Sequence, residues 1–306
     1  MRFRSRWKLY DDFAKRCDEA GAILYTVEVA FGDRDFVVTE PNNPHHIRLR
    51  TQYELWYKEN IINIGVSRLP DDWKYIAWVD ADVRFARDDW ADETVHQLQH
   101  YCAVQMWSQY QDLTPDHEVI GTTRSFAECY LNGRPQEVHP HPHGHYHPHK
   151  KPRKGYPGAP GLAWAMRRDA WDHVGGLIDY SILGACDWYM AHALIGRLDE
   201  VMKSSYHSRY VAKMKEWEKR ALSLPYKSGK STLGVVKGVA HHYWHGPKRN
   251  RLYGTRDQIL IDADFNPDVD LKRDWQGLYQ LTDRSIKLRD GIRGYFRQRN
   301  EDGIDL

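Results

Sequence analysis

Two carboxylates, Asp80 and Asp82, stand one residue apart in this 306-residue chain. Paired carboxylate oxygens are the ligand type that Mg²⁺ and Mn²⁺ take. The pair follows Tyr75-Ile76-Ala77-Trp78-Val79, a short apolar run that predicts a buried strand. It would then lie at a strand's carboxyl end, where ligands of open α/β sheets gather. A divalent ion held there could bridge two phosphates and neutralise the charge that grows on a departing diphosphate. A lone Asp-x-Asp is usually a solvated turn. The strand in front of this one sets it apart.

Two further segments carry chemistry. In Gly184-Ala185-Cys186-Asp187-Trp188, small residues would let a ligand approach the backbone, and Asp187 falls in the first turn of a predicted helix. The helix dipole keeps such a carboxylate ionised, ready to take a proton from a hydroxyl; a plain helix cap is the competing reading. In His241-His242-Tyr243-Trp244-His245-Gly246-Pro247-Lys248-Arg249-Asn250-Arg251, a His after a strand could complete a metal site begun by the aspartates. Lys248, Arg249 and Arg251 could meet phosphate oxygens. Alone, a His cluster is ordinary surface or packing.

The elements that must position these residues alternate between strand and helix. Helices are expected over residues 9–20, 52–65, 88–101, 168–174, 187–197 and 206–223, the last charged and peripheral. Strands are expected over residues 22–29, 36–39, 75–79, 103–107 and 235–240, and residues 162–166 form an apolar stretch. That alternation predicts an α/β fold with a mostly parallel sheet flanked by helices. Residues 139–154 place His at every second position and lead into Lys150, Lys151, Arg153 and Lys154; this composition predicts a mobile loop.

Composition narrows the class. Hydrophobic residues reach 41% and aromatics 13%, enough for a core rather than a disordered chain. The net charge of +2 does not by itself announce nucleic acid. No run approaches the roughly 20 apolar residues of a membrane span, and the basic N-terminus lacks the apolar region of a secretory signal. Cys17, Cys102, Cys129 and Cys186 are scattered, without CxxC spacing, and read as reduced packing thiols. A cytoplasmic protein without membrane insertion is expected, and no feature sets its oligomeric state.

As a set, and in this order, these elements resemble the GT-A fold glycosyltransferases, and within them the β-1,4-galactosyltransferase-like group. The matching stretches are Asn60-Ile61-Ile62-Asn63-Ile64-Gly65-Val66, Tyr75 to Asp82, Gly158 to Arg168, Gly175-Gly176-Leu177, Gly184 to Asp187, and His245. The resemblance implies a Rossmann-like single globular domain over residues 1–265, with a basic helical extension over 266–306. It implies metal-dependent, inverting transfer of a sugar from a nucleotide-diphosphate donor, a UDP-sugar first, to an acceptor hydroxyl. Mn²⁺ or Mg²⁺ would sit on Asp80, Asp82 and His245, with His242 in reserve. Asp187 would be the catalytic base. Glu28, Lys58, Asn60, Asp80 and Arg251 would contact the donor, and Trp164, Trp188, His143, His145 and Lys150 would form the acceptor side or a lid. Cys186 stands where the group has an acidic residue, and the group's disulfide pattern is absent, which leaves the sugar and the acceptor open.

Two acceptors fit: a glycan, or a hydroxymethylated base in DNA. A looser resemblance to phage DNA-base glycosyltransferases, the Lys150–Lys154 cluster, and Arg284, Lys287, Arg289, Arg293, Arg297 and Arg299 support the second. The location would then be the cytoplasm of the phage's host. A non-catalytic metal- or nucleic-acid-binding module built on the His-rich stretch is the rival reading. It leaves Asp80, Asp82 and Asp187 without a role.

Overall fold

A computed structural model describes residues 4–133, 137–140, 158–225, 232–299 and 301–303. The chain begins with helices α1 (Arg4–Trp7) and α2 (Tyr10–Glu19), then strands β1 (Thr26–Phe31) and β2 (His46–Thr51). In β2 the buried residues Ile47, Leu49 and Thr51 alternate with His46, Arg48 and Arg50, the period-two pattern of a strand with one face on the core. Helix α3 (Lys58–Val66) follows, then β3 (Tyr75–Val79), β4 (Val83–Phe85) and α4 (Trp90–Leu98). Next come β5 (Ala103–Gln105), β6 (Gln109–Leu113), β7 (Val119–Arg124), α5 (Phe126–Asn132) and β8 (Glu137–Pro140). Strand β9 (Ala163–Arg167) runs into α6 (Arg168–Val174), and α7 (Cys186–Leu194) leads to α8 (Ser208–Leu222). The rest is β10 (Leu233–Val235), β11 (Val239–His242), α9 (Gln258–Asp262), α10 (Pro267–Asp270), the hairpin β12 (Leu271–Arg273) and β13 (Tyr279–Leu281), and α11 (Ile286–Gln298).

The fold is mixed α/β, but the expected mostly parallel sheet is replaced by small mixed ones. A four-stranded sheet has the order β10-β5-β9-β3, and a five-stranded one β4-β11-β6-β7-β8; β1-β2 and β12-β13 form pairs. Only β1-β2, β10-β5 and β11-β6 are parallel among the described strand pairs. Strand β9 enters antiparallel between β5 and β3, and that reverses the pattern. Strand β3 is not the buried strand its apolar sequence predicts. It lies at the edge of its sheet, with Tyr75 and Ala77 exposed and Trp78 buried.

The predicted strand over 235–240 is two strands. The chain crosses from β5's side to β6's side at Val236-Lys237-Gly238, where Gly238 bonds Ser108 through both its N–H and its carbonyl. Strand β3 likewise passes into β4 of the other sheet through Asp80-Ala81-Asp82. The aspartates therefore lie where the chain changes sheets.

The predicted strand at 36–39 is absent for a clear reason. The N–H groups of Val37, Val38 and Thr39, and the Thr39 hydroxyl, donate to the buried Glu28 carboxylate at 2.7–3.1 Å, so no ladder can claim them. Burial pushes the Glu28 carboxyl up, but these donors outweigh it and its pKa lies below the ordinary value. A depressed folded pKa gives stability that is present above the ordinary carboxylate range and lost as pH falls through it. Glu28→Gln should therefore cost about 2 kcal/mol at pH 7 and progressively less below roughly pH 4. Urea unfolding at pH 7 and in acid measures both; an equal cost at the two pH values would contradict this role.

Two expectations about helices also change. Helix α8 is no peripheral element: Tyr210, Met214, Trp217 and Ala221 are buried at helical spacing in the main core. Among the described residues, the tail beyond residue 270 is helical only in α11, after the β12–β13 hairpin. Leu271, Leu278 and Leu281 of the hairpin region, and Leu288, Ile292, Tyr295 and Phe296 of α11, join the same buried cluster as β1, β2 and α7. Two stretches matched in sequence meet here: Leu177 N–H donates to Asn63 Oδ1 at 2.9 Å, and Asn63 Nδ2 returns a bond to Leu177 O at 3.0 Å. Gly176 allows this, because its φ is +79° and a Cβ on it would come within 2.8 Å of Asn63 Oδ1.

Candidate metal centre

Strand register builds the site. Strand β11 pairs antiparallel with β4, so His242 faces Val83, and Tyr243 N–H donates to Asp82 O at 2.8 Å. The backbone of Asp82 is thereby fixed beside His242. Residues 243–245, between the end of β11 and Gly246, carry the chain so that His245 reaches the same place. The result is a group of three ligand atoms, from Asp82, His242 and His245, all within 4.8 Å of one another. Asp82 Oδ2 lies 3.5 Å from His242 Nε2 and 3.9 Å from His245 Nε2. Asp82 is fully buried and His245 nearly so.

The chemistry of this set fits a metal ion. Asp82 Oδ1 and His245 Nδ1 are buried without hydrogen-bond partners, unusual for buried polar atoms. The two imidazole Nε2 atoms face each other at 3.0 Å, so at least one must be unprotonated for them to bond. Burial works against charge on His242, yet Asp82 and Asp112 raise its pKa to about 9. Burial, helped by Arg251 and His242, holds His245 well below the ordinary imidazole range. Burial also opposes charge on Asp82, but Arg6, His242 and His245 outweigh it and keep the carboxylate ionised. Asp112 Oδ1 takes His242 Nδ1 at 2.9 Å because β6 pairs with β11 in a register that sets Asp112 against His242. That leaves Nε2 of His242 turned toward the group, as a carboxylate behind a ligating imidazole does.

Charged groups from both ends of the described chain surround the triad. Arg6 places Nη1 2.5 Å from Asp82 Oδ2 and Nε 3.3 Å from Glu301 Oε2. Arg251 lies 3.5 Å from Glu301 Oε1, which Arg299 also bonds.

A second group lies next to Asp80. The Lys58 ammonium pairs with Asp80 Oδ1. Burial opposes its charge, but Asp80, Glu59 and Asp187 more than compensate and hold it above the ordinary lysine value. Lys58 therefore links the aspartate stretch to the start of α7. There Asp187 Oδ1 accepts from Trp188 N–H at 2.8 Å, and its Oδ2 lies 3.0 Å from the place a Cβ on Gly161 would occupy. Gly161 is what leaves this carboxylate room. Beneath it, burial pushes the Glu59 carboxyl up to about 7; Lys58 opposes this and Asp187 adds to it. Trp56 Nε1 donates to Glu59 Oε2 at 2.9 Å.

The site residues read from sequence thus divide. Asp82 and His245 meet, and His242 joins them as a full member. Asp80 is turned to Lys58 and is no part of the three-residue group. Arg251 borders the triad. Glu28 and Asn60 serve the fold instead of facing a ligand: Glu28 holds the 37–39 loop, and Asn60 binds Gly277 O and Tyr279 N–H of the hairpin. Trp164 is buried in β9 with its Nε1 on Pro160 O, so it is a core residue and not part of an acceptor face or lid. Trp188 is half-buried, with its ring 4.3 Å from that of His192 and tilted 55° to it. His143, His145 and Lys150 lie outside the described residues.

Sequence reasoning missed Asp112, Glu59, Arg6 and Glu301. Asp112 sits in Gln109-Tyr110-Gln111-Asp112, which carries no motif; only strand pairing reveals it. Among the described residues, no helix is long and apolar enough to cross a membrane, and all four cysteines are buried thiols, none in a disulfide. A surface cleft of about 590 Å³ opens at the opposite, amino end of β3, beside Trp73 and Tyr75. No protein-family model matches the chain, and no curated protein matches it.

Proposed function

We propose that this chain is a metal-dependent glycosyltransferase of GT-A type that uses a nucleotide-diphosphate sugar. The observation that carries the reading is the meeting of Asp82, from the stretch after β3, with His242 and His245, some 160 residues later in the chain. Two imidazoles and one carboxylate suit Mn²⁺ better than Mg²⁺, which prefers oxygen donors. A bound ion would stabilise the negative charge on the leaving diphosphate. Asp112 holds His242 in the ligating tautomer. Asp187, at the start of α7, accepts the proton of the acceptor hydroxyl, and Gly161 leaves space for that hydroxyl to approach. Lys58 screens Asp80 and Asp187 from each other, so that two carboxylates can serve one substrate. The acceptor is a glycan or a modified DNA base.

The same two-His, one-carboxylate set serves non-haem iron(II) oxygenases. That chemistry gives Lys58, Asp80 and Asp187 nothing to do. Thermal shift with Mn²⁺, Mg²⁺ or Fe²⁺, each with and without a panel of nucleotide sugars, tests the reading. A nucleotide sugar should raise the melting temperature only with metal present, by several degrees for about 2 kcal/mol of linked binding. Metal-independent shifts, or none with any nucleotide sugar, would end it.

A further inference from the structure

Three arginines converge on one carboxylate beside the triad. Glu301 is buried, and Arg6, Arg251 and Arg299 all pair with it. Arg6 also reaches Asp82, so the anion and the triad share a neighbour. Each guanidinium carries five N–H donors, whereas one carboxylate offers two oxygens. The mismatch is visible: Arg299 is buried with its Nε unbonded, and Arg251 also has an unbonded Nε. The Arg251–Glu301 contact is an ion pair without hydrogen-bond geometry. The Arg299 guanidinium lies over the Trp56 ring at 4.9 Å, a contact that does not involve Glu301. These groups form a site with more donors than its present occupant can use.

We infer that residues 301–303 are a built-in competitor: the Glu301 carboxylate occupies an anion site, made by Arg6, Arg251 and Arg299, that takes the phosphate oxygens of a diphosphate. A diphosphate brings more charge and more acceptor oxygens than Glu301, and bidentate guanidinium contacts favour it. Beyond the arginines, two contacts of the segment would open with it. Gly303 O accepts from Trp244 Nε1 at 2.7 Å, and exposed Asp302 accepts from Arg4 N–H at 3.1 Å. Ligand binding then means release of 301–303 from Trp244, and the docked segment lowers apparent affinity by the fraction of molecules in which it is undocked. This regulation rests on reading the triad as a centre for a diphosphate donor.

The test is titration of inorganic pyrophosphate into the full-length protein at fixed Mg²⁺. Glu301→Gln should bind it about tenfold more tightly than wild type, the change expected when a segment docked some nine-tenths of the time loses its hold. Arg251→Gln should weaken binding in either background. In the wild type, which needs no altered fold, saturating pyrophosphate should speed hydrogen exchange of the Trp244 indole N–H as Gly303 leaves it. Unchanged or weaker binding by folded Glu301→Gln, or an indole that stays protected at saturation, overturns the inference. The two readings separate cleanly. Pyrophosphate release of the segment without any response to nucleotide sugars sinks the transferase and leaves this competitor standing. A sugar response with pyrophosphate affinity unaffected by Glu301→Gln sinks the competitor alone.

Discussion

Asp82→Asn abolishes metal-linked stabilisation and lowers metal-dependent donor turnover on the order of 10³-fold, the scale expected when the charge that stabilises a leaving group is lost. The side chain keeps its size, so packing is nearly unchanged. What goes is the only carboxylate in the triad. In wild type, Mn²⁺ at a hundred times its dissociation constant adds about 2.7 kcal/mol to stability. In Asp82→Asn that increment vanishes. The metal-free variant is itself less stable, because Arg6 loses the partner at 2.5 Å and two imidazoles lose a neighbouring anion. Calorimetric titration of Mn²⁺ and melting with and without the ion separate the two effects. Metal binding that survives at wild-type strength would remove Asp82 from the site, and the mechanism with it.

Asp187→Asn has a different signature. Transfer should fall on the order of 10³-fold through kcat, the size of a lost general base, while Mn²⁺ affinity and the donor's KM stay near wild type. The separation follows from position. Asp187 is not in the triad; it faces Gly161 and lies in the field of Lys58. The amide keeps the size and can still accept the Trp188 N–H through its oxygen, so α7 should start where it does now. Steady-state kinetics with the donor identified by thermal shift provide the measurement. Undiminished transfer, or a loss confined to donor KM, would show that Asp187 is no base and return it to a helix-start residue.

The corrected expectations share a cause: side chains and edges that compete with regular structure. Phe36-Val37-Val38-Thr39 has every local preference for a strand, but one buried carboxylate collects its N–H groups. Tyr75 to Val79 is apolar enough for a buried strand, yet β9 pairs on one side of it and leaves it at an edge. Trp164 looks like a ligand platform by type, and its antiparallel partner Trp78 shows it to be core. Asn60 looks like a ligand contact by motif, and its amide is taken up by a hairpin more than 200 residues later.

Local pattern was enough to find the alternation of helix and strand, the carboxylates after β3, the acid at the start of α7, and the His run that begins in β11. Those features are local: periodicity, small residues and charged side chains act within a few positions. Which of them meet was decided by tertiary structure alone. Pairing of β11 with β4 and β6 selected Asp82 over Asp80, raised His242 to equal standing with His245, and set Asp112 behind it. Packing of the segments around Arg6 and Glu301 beside that pairing brought Arg6 onto Asp82 and Glu301 onto Arg6. Register is a relation between distant segments, settled by the joint burial of both faces of a sheet, and no window of one chain contains it.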